Sequence, residues 1–392
     1  MTIAPPRPVD RAFDVLALRS REFPWLADDR TAYLNSASTG PTPASTLEAI
    51  ESFARQRARP HRITQAVQFG TTQRARELCA RLVGAEADEI ALGPNTSFGL
   101  NLAARALPLR EGDVVVTSEG EFPANVYPWL ALERARGVTT RLVPCVGRLP
   151  DEDALLAALD EPRVRLLALS WVGFATGARV DLERLGRACR ERGIWFVVDA
   201  IQGVGAAPLD VRAGHVDVLA CGAQKWLLSP WGTGFLYVRR ERVTQLVPHM
   251  VSWLAVKNSE DFTQLCNYEL NWFDNARRFE MITLPYQEFA GLNASLELFE
   301  SVGWHRVHAL VEERANQIVE WAQRRRDVAL VTPPDRARRA GVISIRAADP
   351  ATASARLVAS GVPHALREGM IRLAPHFYTS PDEIERGCRA LT

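Results

Sequence analysis

The stretch VDVLACGAQKWLLSPWGTGFLYVRR (residues 216–240) places one lysine, Lys225, directly after a short apolar run. A second run of the same kind, GIWFVVDA (193–200), ends at Asp199. Both runs are rich in aliphatic residues and are bounded by turn and helix signals, which is typical of buried parallel strands. The sequence therefore predicts that Lys225 and Asp199 emerge at the carboxyl ends of two strands, where open α/β sheets place their ligands.

A lysine and an aspartate delivered to one crevice suit a cofactor that carries an aldehyde. The amine of Lys225 can form a Schiff base, and the carboxylate of Asp199 can pair with a ring nitrogen, as in pyridoxal phosphate enzymes. Each residue alone has a simpler interpretation. A lysine after a strand is usually a solvated charge, and an aspartate there is usually a helix cap or turn residue. The other segments of the chain decide between these interpretations.

As far as about residue 290, short apolar strands alternate with helices, a pattern that favours a mostly parallel sheet with right-handed crossovers. The pattern predicts strands over 89–95, 113–119, 139–145, 164–172, 194–200, 216–222 and 234–240, and helices over 46–58, 71–85, 97–107, 124–136, 151–160 and 182–193. Beyond that point the sequence changes to long helices with a few short strands. This change predicts a second, smaller α+β domain.

Composition excludes several classes of function. The 392 residues are 47% hydrophobic and 24% charged, and the net charge of +1 gives no excess that would drive binding to nucleic acid or to a membrane surface. The six cysteines show no C-x-x-C spacing, which argues against a structural zinc site or a disulfide framework. The N-terminus lacks the apolar core of a signal peptide. We expect a soluble, cytoplasmic protein with no metal, nucleic-acid or membrane partner.

Further candidate residues follow the other predicted strands. Thr96 and Ser97 open a helix after the first strand, and small hydroxylated residues there form a ready anion site. Phe122, after the strand 113–119, can stack on a cofactor ring, although an aromatic residue is more often part of the core. Arg372, in the predicted small domain, can donate two hydrogen bonds to a carboxylate.

The order of these segments resembles a known family. The motifs that carry the resemblance are EFPAN..PW, SWVGFATG, VDAIQGVGA, AQKWL.SPWGTGFL, RRFEMIT and IRLAPHFYTSPDEIE. The chain, from about Phe23 to the C-terminus, is similar to the class V aminotransferase group of fold-type I pyridoxal phosphate enzymes. This group includes cysteine desulfurases, selenocysteine lyases, kynureninases and isopenicillin N epimerase-like proteins.

The resemblance implies an α/β fold of the fold-type I transferase class. A large domain (27–290) would contain a mostly parallel seven-stranded sheet, and residues 1–26 and 291–392 would form the small α+β domain. It also implies a homodimer with active sites at the interface, since Thr283 matches a threonine that reaches the phosphate of the neighbouring subunit.

The resemblance further implies a role for each matching position. Lys225 is the catalytic residue that forms the Schiff base. The residues that bind the cofactor, pyridoxal 5′-phosphate, are Lys225 itself with Thr96, Ser97, Phe122, Asp199, Gln202, Gln224 and Thr283. The residues that bind an amino-acid substrate are Arg372, Ser38 and Phe174. Among these, Asp199 pairs with the pyridine nitrogen, Gln202 approaches the phenolic oxygen of the cofactor, and Arg372 holds the α-carboxylate.

Several positions depart from the desulfurase pattern. Desulfurases carry a nucleophilic cysteine shortly before the carboxylate-binding arginine, but the stretch GVPHALREGMIR (361–372) contains none. Gln224 stands where desulfurases have histidine, Gly222 where many relatives have a phosphate-contacting serine, and Phe174 where desulfurases have asparagine. Ile282 replaces the glycine that usually precedes the motif threonine. Persulfide chemistry is therefore not expected, and the more apolar site predicts a larger or less polar substrate.

The sequence thus predicts a pyridoxal phosphate-dependent enzyme acting at Cα of an amino acid, as a C–S or β-lyase or as an aminotransferase. Epimerase chemistry of the isopenicillin N type and kynureninase-like hydrolysis are the alternatives. A dinucleotide oxidoreductase is disfavoured, because the glycine-rich run 203–208 ends in Pro208 and does not open a βαβ unit. A non-catalytic binding protein of the same fold is disfavoured by the intact Lys225, Asp199 and Arg372.

Overall fold

The computed structural model describes residues 14–28 and 31–391. The strands are β1 (Ile90–Gly93), β2 (Val114–Ser118), β3 (Thr139–Val143), β4 (Cys145–Val146), β5 (Leu149–Pro150), β6 (Val164–Ser170), β7 (Trp195–Asp199), β8 (Val218–Gly222), β9 (Gly234–Val238), β10 (Val328–Leu330), β11 (Ile343–Ala347), β12 (Ala365–Arg367) and β13 (Met370–Leu373). They form a seven-stranded sheet, a four-stranded sheet and a short hairpin.

The helices surround these sheets. They are α1 (Val15–Glu22), α2 (Trp25–Asp28), α3 (Ala44–Arg57), α4 (Gln65–Val83), α5 (Thr96–Ala106), α6 (Tyr127–Arg136), α7 (Glu152–Ala158), α8 (Leu182–Glu191), α9 (Arg240–Val243), α10 (Tyr286–Val302), α11 (Trp304–Gln323), α12 (Pro350–Ala359) and α13 (Pro381–Ala390). Among the described helices, none combines the length and the apolar character needed to cross a bilayer.

The large sheet has the strand order β1-β9-β8-β7-β6-β2-β3, and β3, β2, β6, β7 and β8 run parallel. Strand β9 runs in the opposite direction and is antiparallel to both of its neighbours, β1 and β8. Successive residues of a strand face opposite sides, so Val115 and Val197 lie in one apolar cluster while Val116 and Val198 lie in the other. Helices cover both faces, as the continuous apolar runs predicted. The mostly parallel seven-stranded sheet and the fold-type I architecture are confirmed.

Three predicted elements differ in detail. The strand predicted over 139–145 ends at Val143, because Cys145 and Val146 pair with β5 in a separate hairpin. The first strand pairs only with the antiparallel β9, at the edge of the sheet. Helix α4 begins at Gln65, six residues before the predicted start at 71, because the Thr64 hydroxyl caps it by accepting from the amide of Val67.

The four-stranded sheet is antiparallel, in the order β10-β11-β13-β12. One face carries residues such as Ile343 and Ile371 into an apolar cluster shared with α11, α12 and α13. The opposite face meets the large sheet's loops, where the Ser344 hydroxyl donates to the carbonyl of Ala175. The proposed domain limits at 26/27 and 290/291 stay a prediction. Residues 1–13 of the predicted small domain lie outside the described part.

A buried ion pair fixes the RRFEMIT segment. Arg76, on α4, donates to both carboxylate oxygens of Glu280, at 2.8 Å and 2.7 Å. The same carboxylate accepts from the amide of Leu92 on β1, at 3.0 Å. Both side chains are almost completely buried. The glutamate of the motif therefore joins a helix, the edge strand and the segment that leads to Thr283.

Removal of the Glu280 carboxylate should be strongly destabilising, since it leaves the Arg76 guanidinium buried without a counter-charge. Glu280→Ala should lower the free energy of unfolding by about 3–5 kcal/mol, measured by urea denaturation followed by circular dichroism. The control Glu51→Ala disrupts the exposed Arg55–Glu51 pair and should change stability by less than about 0.5 kcal/mol. Equal effects of the two substitutions would contradict this account of Glu280.

Candidate active site

Lys225 and Asp199 lie at the same edge of the large sheet. Asp199 is the last residue of β7, and Lys225 follows the end of the adjacent parallel strand β8. Asp199 is 3% exposed, and its Oδ1 accepts from the amide of Ile201 at 3.0 Å. Among the described residues, no other donor to this carboxylate is found. The second oxygen of this buried carboxylate therefore has no described protein donor.

Burial sets the charge state of both groups. It raises the pKa of Asp199 to about 6, against the opposing effects of the Ile201 amide and the Lys225 charge. It lowers the pKa of Lys225 to about 8, which Asp199 opposes and Arg372 reinforces. A lysine with this pKa presents a sizeable fraction of neutral amine near neutral pH. The neutral amine is the nucleophilic form.

Trp226, the residue after the lysine, is hydrogen-bonded both through its indole and through its backbone carbonyl. The indole Nε1 of Trp226 donates to Gln202 Oε1 at 3.0 Å, and Gln202 Nε2 donates to the carbonyl of Ala37 at 3.0 Å. Gln202 is therefore bonded through both ends of its amide. Its Nε2 retains one further N–H, which is the donor that the predicted contact with a phenolic oxygen requires.

A histidine from beyond the small sheet completes this support. The amide of Phe377 donates to Nδ1 of His376 at 2.8 Å, so Nε2 carries the proton and donates to the carbonyl of Trp226 at 3.0 Å. Burial lowers the pKa of His376 to about 4. The neutral imidazole therefore fixes the backbone next to Lys225. The sequence analysis gave His376 no role.

The N-terminal segment crosses the lysine turn at Gly40. The amide of Gly40 donates to the carbonyl of Gln224 at 2.9 Å. A Cβ at this position would lie 2.2 Å from the carbonyl oxygen of Lys225. Only glycine permits so close an approach, which brings Ser38, two residues earlier, to the site.

The beginning of α5 forms one side of the crevice. Asn95 caps the helix, and the Thr96 hydroxyl accepts from the amide of Gly222 at 2.8 Å. A Cβ at Gly222 would lie 2.6 Å from Gln224 Oε1, so the glutamine side chain uses the space in which a serine at 222 would begin. Glycine at 222, where many relatives have serine, thus leaves room for glutamine at 224, where desulfurases have histidine. Ser97 is exposed beside them.

Two aromatic rings form the opposite wall. Phe122 and Phe174 pack edge to face, with ring centroids 5.2 Å apart. The Lys225 Nζ lies 5.9 Å from the centroid of the Phe122 ring. Phe122 is 44% exposed, so its face remains open to a ring bound above the lysine. This position suits the predicted stacking role better than a core role.

Glu121 is a site residue that the sequence analysis missed. Its carboxylate accepts from the Ser170 amide at 2.8 Å, the Ser170 hydroxyl at 2.5 Å and the Asn125 side chain at 3.0 Å. Burial raises its pKa to about 7, and the nearby Asp199 charge adds to this shift. Since Ser170 pairs with Asp199 across β6 and β7, these bonds anchor the segment that carries Phe122 to the end of the neighbouring strand.

Arg372, Ser38 and Phe174 come together as predicted. Arg372 donates to the Phe174 carbonyl at 2.8 Å and to the Ser38 hydroxyl at 2.7 Å, while its buried Nε has no described partner. Burial lowers the pKa of Arg372 to about 10, and Arg367 adds to the effect. All its acceptors are neutral, so the guanidinium charge is left for an anionic ligand.

Other predicted features lie apart from this crevice. Thr283 is exposed, and no described hydrogen bond joins it to the residues above. The stretch 361–372 forms the β12–β13 hairpin. Beyond it, Cys388 is buried in the apolar cluster that covers one face of the four-stranded sheet, and burial raises the pKa of its thiol to about 12. It is therefore not poised as a nucleophile.

The crevice fits pyridoxal phosphate. A lysine with a lowered pKa faces a buried carboxylate that has a single amide donor, the α5 N-terminus offers an anion site, and Phe122 presents an open ring face. No group of three His, Cys, Asp or Glu side chains that could hold a metal ion is found in the described ranges.

Comparison with known proteins also indicates a pyridoxal phosphate enzyme. The family model described as "Aminotransferase class-V" matches residues 32–370. A probable cysteine desulfurase of Methanothermobacter thermautotrophicus is 36% identical over 293 residues, covering 73% of this chain and 70% of the relative. The isopenicillin N epimerase of Streptomyces clavuligerus is 27% identical over 386 residues, covering 93% and 95%.

Solved structures share the fold. A mutant of C-DES with glycine covalently linked to its pyridoxal phosphate superimposes with a TM-score of 0.87 at 23% identity, covering 95% of this chain and 98% of that one. The cystine C–S lyase C-DES with its product, cysteine persulfide, gives 0.86 at 24% identity, covering 94% and 99%. The match over most of the chain shows that the protein belongs to the class V aminotransferase family of pyridoxal phosphate-dependent enzymes.

Proposed function

We propose that Lys225 is the catalytic lysine and that the enzyme acts at Cα of an α-amino acid whose carboxylate is bound by Arg372. One observation carries the proposal: the lysine amine, with its pKa lowered to about 8, lies at the ends of adjacent strands with the buried Asp199. When bound, pyridoxal phosphate supplies an aldehyde that combines with amines and a ring that withdraws electrons from Cα.

Each residue of the crevice has a role in this proposal. Asp199 keeps the ring nitrogen protonated, because an anionic carboxylate beside that nitrogen favours its charged form. Thr96 and Ser97, at the start of α5, hold the phosphate, and Gln224 supplies an amide where a histidine is usual. Phe122 covers the ring face. The Lys225 amine accepts the proton from Cα, which its pKa of about 8 permits near neutral pH.

We infer β-elimination or C–S lyase chemistry first, with transamination next to it. The β12–β13 hairpin carries no cysteine, and Cys388 is buried in the core, which supports a reaction without a protein-bound persulfide. The structurally similar C-DES is a cystine C–S lyase. Epimerisation is the second candidate, since the isopenicillin N epimerase similarity extends over 93% of the chain.

The reaction types are separated by their products. Incubating the holoenzyme with a panel of amino acids in D₂O should release ammonia and a keto acid if it eliminates, and a keto acid without ammonia if it transaminates. Epimerisation would instead introduce deuterium at Cα with loss of optical rotation and no keto acid. A cysteine-derived persulfide detected on a protein thiol during turnover would contradict the lyase proposal.

We also propose a homodimer in the cytoplasm. The segment before the RRFEMIT motif exposes an apolar patch that consists of Trp253, Phe262, Leu265, Tyr268 and Leu270. Four of them, Trp253, Leu265, Tyr268 and Leu270, line a groove of about 1190 Å³. Ser252 also lines the groove, and its hydroxyl accepts from the amide of Ile282, the neighbour of Thr283. A second copy that covered the patch would therefore lie close to Thr283, which could then reach a partner's phosphate site. The six cysteines are all free, which supports a reducing compartment.

The Lys225 amine should titrate well below an ordinary lysine. Its neutral form combines with the aldehyde, so the rate at which apoprotein combines with pyridoxal phosphate should rise with pH and reach half its maximum near pH 8. Stopped-flow absorbance measures this rate. Asp199→Asn removes a charge that raises the lysine pKa, so its midpoint should move to lower pH.

Lys225→Ala should fold normally but develop no visible band; a wild-type band in this variant would refute the assignment.

Arg372→Lys should chiefly raise KM for α-amino acids, because an ammonium cannot reproduce the two parallel hydrogen bonds of a guanidinium. The loss of a charge-assisted hydrogen bond should weaken binding by about 10- to 150-fold. Steady-state kinetics, with the visible spectrum as a check on cofactor content, measure the effect. An unchanged KM would show that the carboxylate binds elsewhere.

Charges introduced into the apolar patch should dissociate the dimer. Tyr268→Asp with Leu270→Asp should shift the sedimentation coefficient towards the monomer and reduce the specific activity. Val358→Asp, which alters an exposed apolar residue on α12, should leave the assembly unchanged. A wild-type protein that sediments as a fully active monomer would overturn the proposal.

A further inference from the structure

A second arginine shares the face of the small sheet on which Arg372 lies. Across the β12–β13 hairpin, Ala365 pairs with Arg372 and Arg367 pairs with Met370. Side chains two residues apart on a strand point to the same face, so Arg367 and Arg372 are diagonal neighbours on one face. This face is the one that meets the active-site loops, since Ser344, paired with Arg372, bonds to Ala175.

Arg367 is close enough to act on the site's charges. Its positive charge lowers the pKa of Arg372 and contributes to the lowered pKa of Lys225, in each case after the larger effect of burial. The same crevice therefore collects three cationic groups. The described carboxylate that opposes them is Asp199, which acts on Lys225 from the floor of the crevice.

No described carboxylate pairs with Arg367. Its side chain is exposed, and the one hydrogen bond found for it is the donation to the carbonyl of Leu366, at 3.0 Å. The adjacent Glu368 instead approaches Arg148 on the β4–β5 hairpin, at 3.9 Å. The guanidinium of Arg367 is thus available at the rim while that of Arg372 lies buried.

A single substrate carboxylate provides hydrogen-bond acceptors for one guanidinium group. Arg372 is already oriented by the Phe174 carbonyl and the Ser38 hydroxyl, and the α-carboxylate of a substrate would complete its set of acceptors. Arg367 lies one step, about 7 Å, nearer the turn of the hairpin. A charge at that distance matches an anion borne several bonds away from Cα, and not the α-carboxylate itself.

We propose that Arg367 recognises a second anionic group on the substrate, so that the preferred substrates are α-amino acids with a distal carboxylate or an equivalent acid. This inference rests on the proposed function, because it takes Arg372 as the site of the α-carboxylate. It makes Arg367 a specificity-determining residue, and the wall formed by Phe122 and Phe174 then contacts the carbon chain between the two anions.

The test compares pairs of ligands that match in shape and differ in distal charge. Dissociation constants for L-glutamate against L-glutamine, and for L-aspartate against L-asparagine, are measured with the yellow holoenzyme, by calorimetry and by the change in its visible spectrum. Arg367→Gln is the variant. Arg346→Gln is the matched control, because Arg346 is exposed on the same face of the same sheet but does not contribute to the lowered pKa of Arg372.

We expect wild type and Arg346→Gln to bind at least one acid more tightly than its amide. Arg367→Gln should reduce that preference by roughly 5- to 10-fold, between the effects of an exposed ion pair and of a charge-assisted hydrogen bond. The preference should also weaken as salt is added, since the group is exposed. Binding of the amides should hardly change in the Arg367 variant.

Each other outcome overturns the inference. Equal binding of acid and amide by the wild type excludes a second anion site. Equal loss for acid and amide in Arg367→Gln means that Arg367 shares the α-carboxylate with Arg372. Equal loss of preference in both variants indicates a general effect of net charge. If no amino acid, alanine included, alters the spectrum of the holoenzyme, the proposed function itself fails, and the two failures are thereby distinguished.

Discussion

The removal of Lys225 and Asp199 from water is the constraint on which the rest of the site depends. Parallel strands β7 and β8 end side by side, so any polar residue at their carboxyl ends enters one crevice that the surrounding helices and loops largely close. Burial then raises one pKa to about 6 and lowers the other to about 8. Both groups titrate near neutrality because of where the strands end.

The pKa values of Lys225 and Asp199 depend on burial and on each other's charge, so both side chains must be held in fixed positions. The backbone beside Lys225 is held by His376, from the loop after β13, and by Gly40 from the N-terminal segment, and the Trp226 indole is held by Gln202. The side chains in this set are buried and neutral. They fix position without adding a charge that would compete with Asp199 for the lysine.

The sequence predicted those parts of the site that depend on strand ends and motif order. Lys225, Asp199 and Thr96 lie in the crevice because the alternation of apolar strands determines which residues emerge at one edge. The grouping of Arg372 with Ser38 was implied by the resemblance, since Arg372 belongs to the other sheet. The sequence could not explain why Gly222 and Gln224 occur together, because the explanation is that the Gln224 side chain occupies the space that a larger residue at 222 would need. Likewise Glu280 lies within a motif, but its role depends on Arg76, which is 204 residues away in the sequence.

The two sheets contribute different residues to the crevice, because the large sheet ends at it and the small sheet packs against its loops. Residues at the ends of β2, β6, β7 and β8 line the crevice in which we propose that the cofactor binds, so a change there would disturb chemistry that every substrate needs. The β12–β13 hairpin belongs to the other sheet and contributes Arg372, which donates to the Phe174 carbonyl and the Ser38 hydroxyl. Arg367, on β12 beside the turn, affects the pKa of Lys225 less than burial, Asp199 and Arg372 do. Specificity within this fold can therefore change at the hairpin while the catalytic edge of the large sheet stays the same.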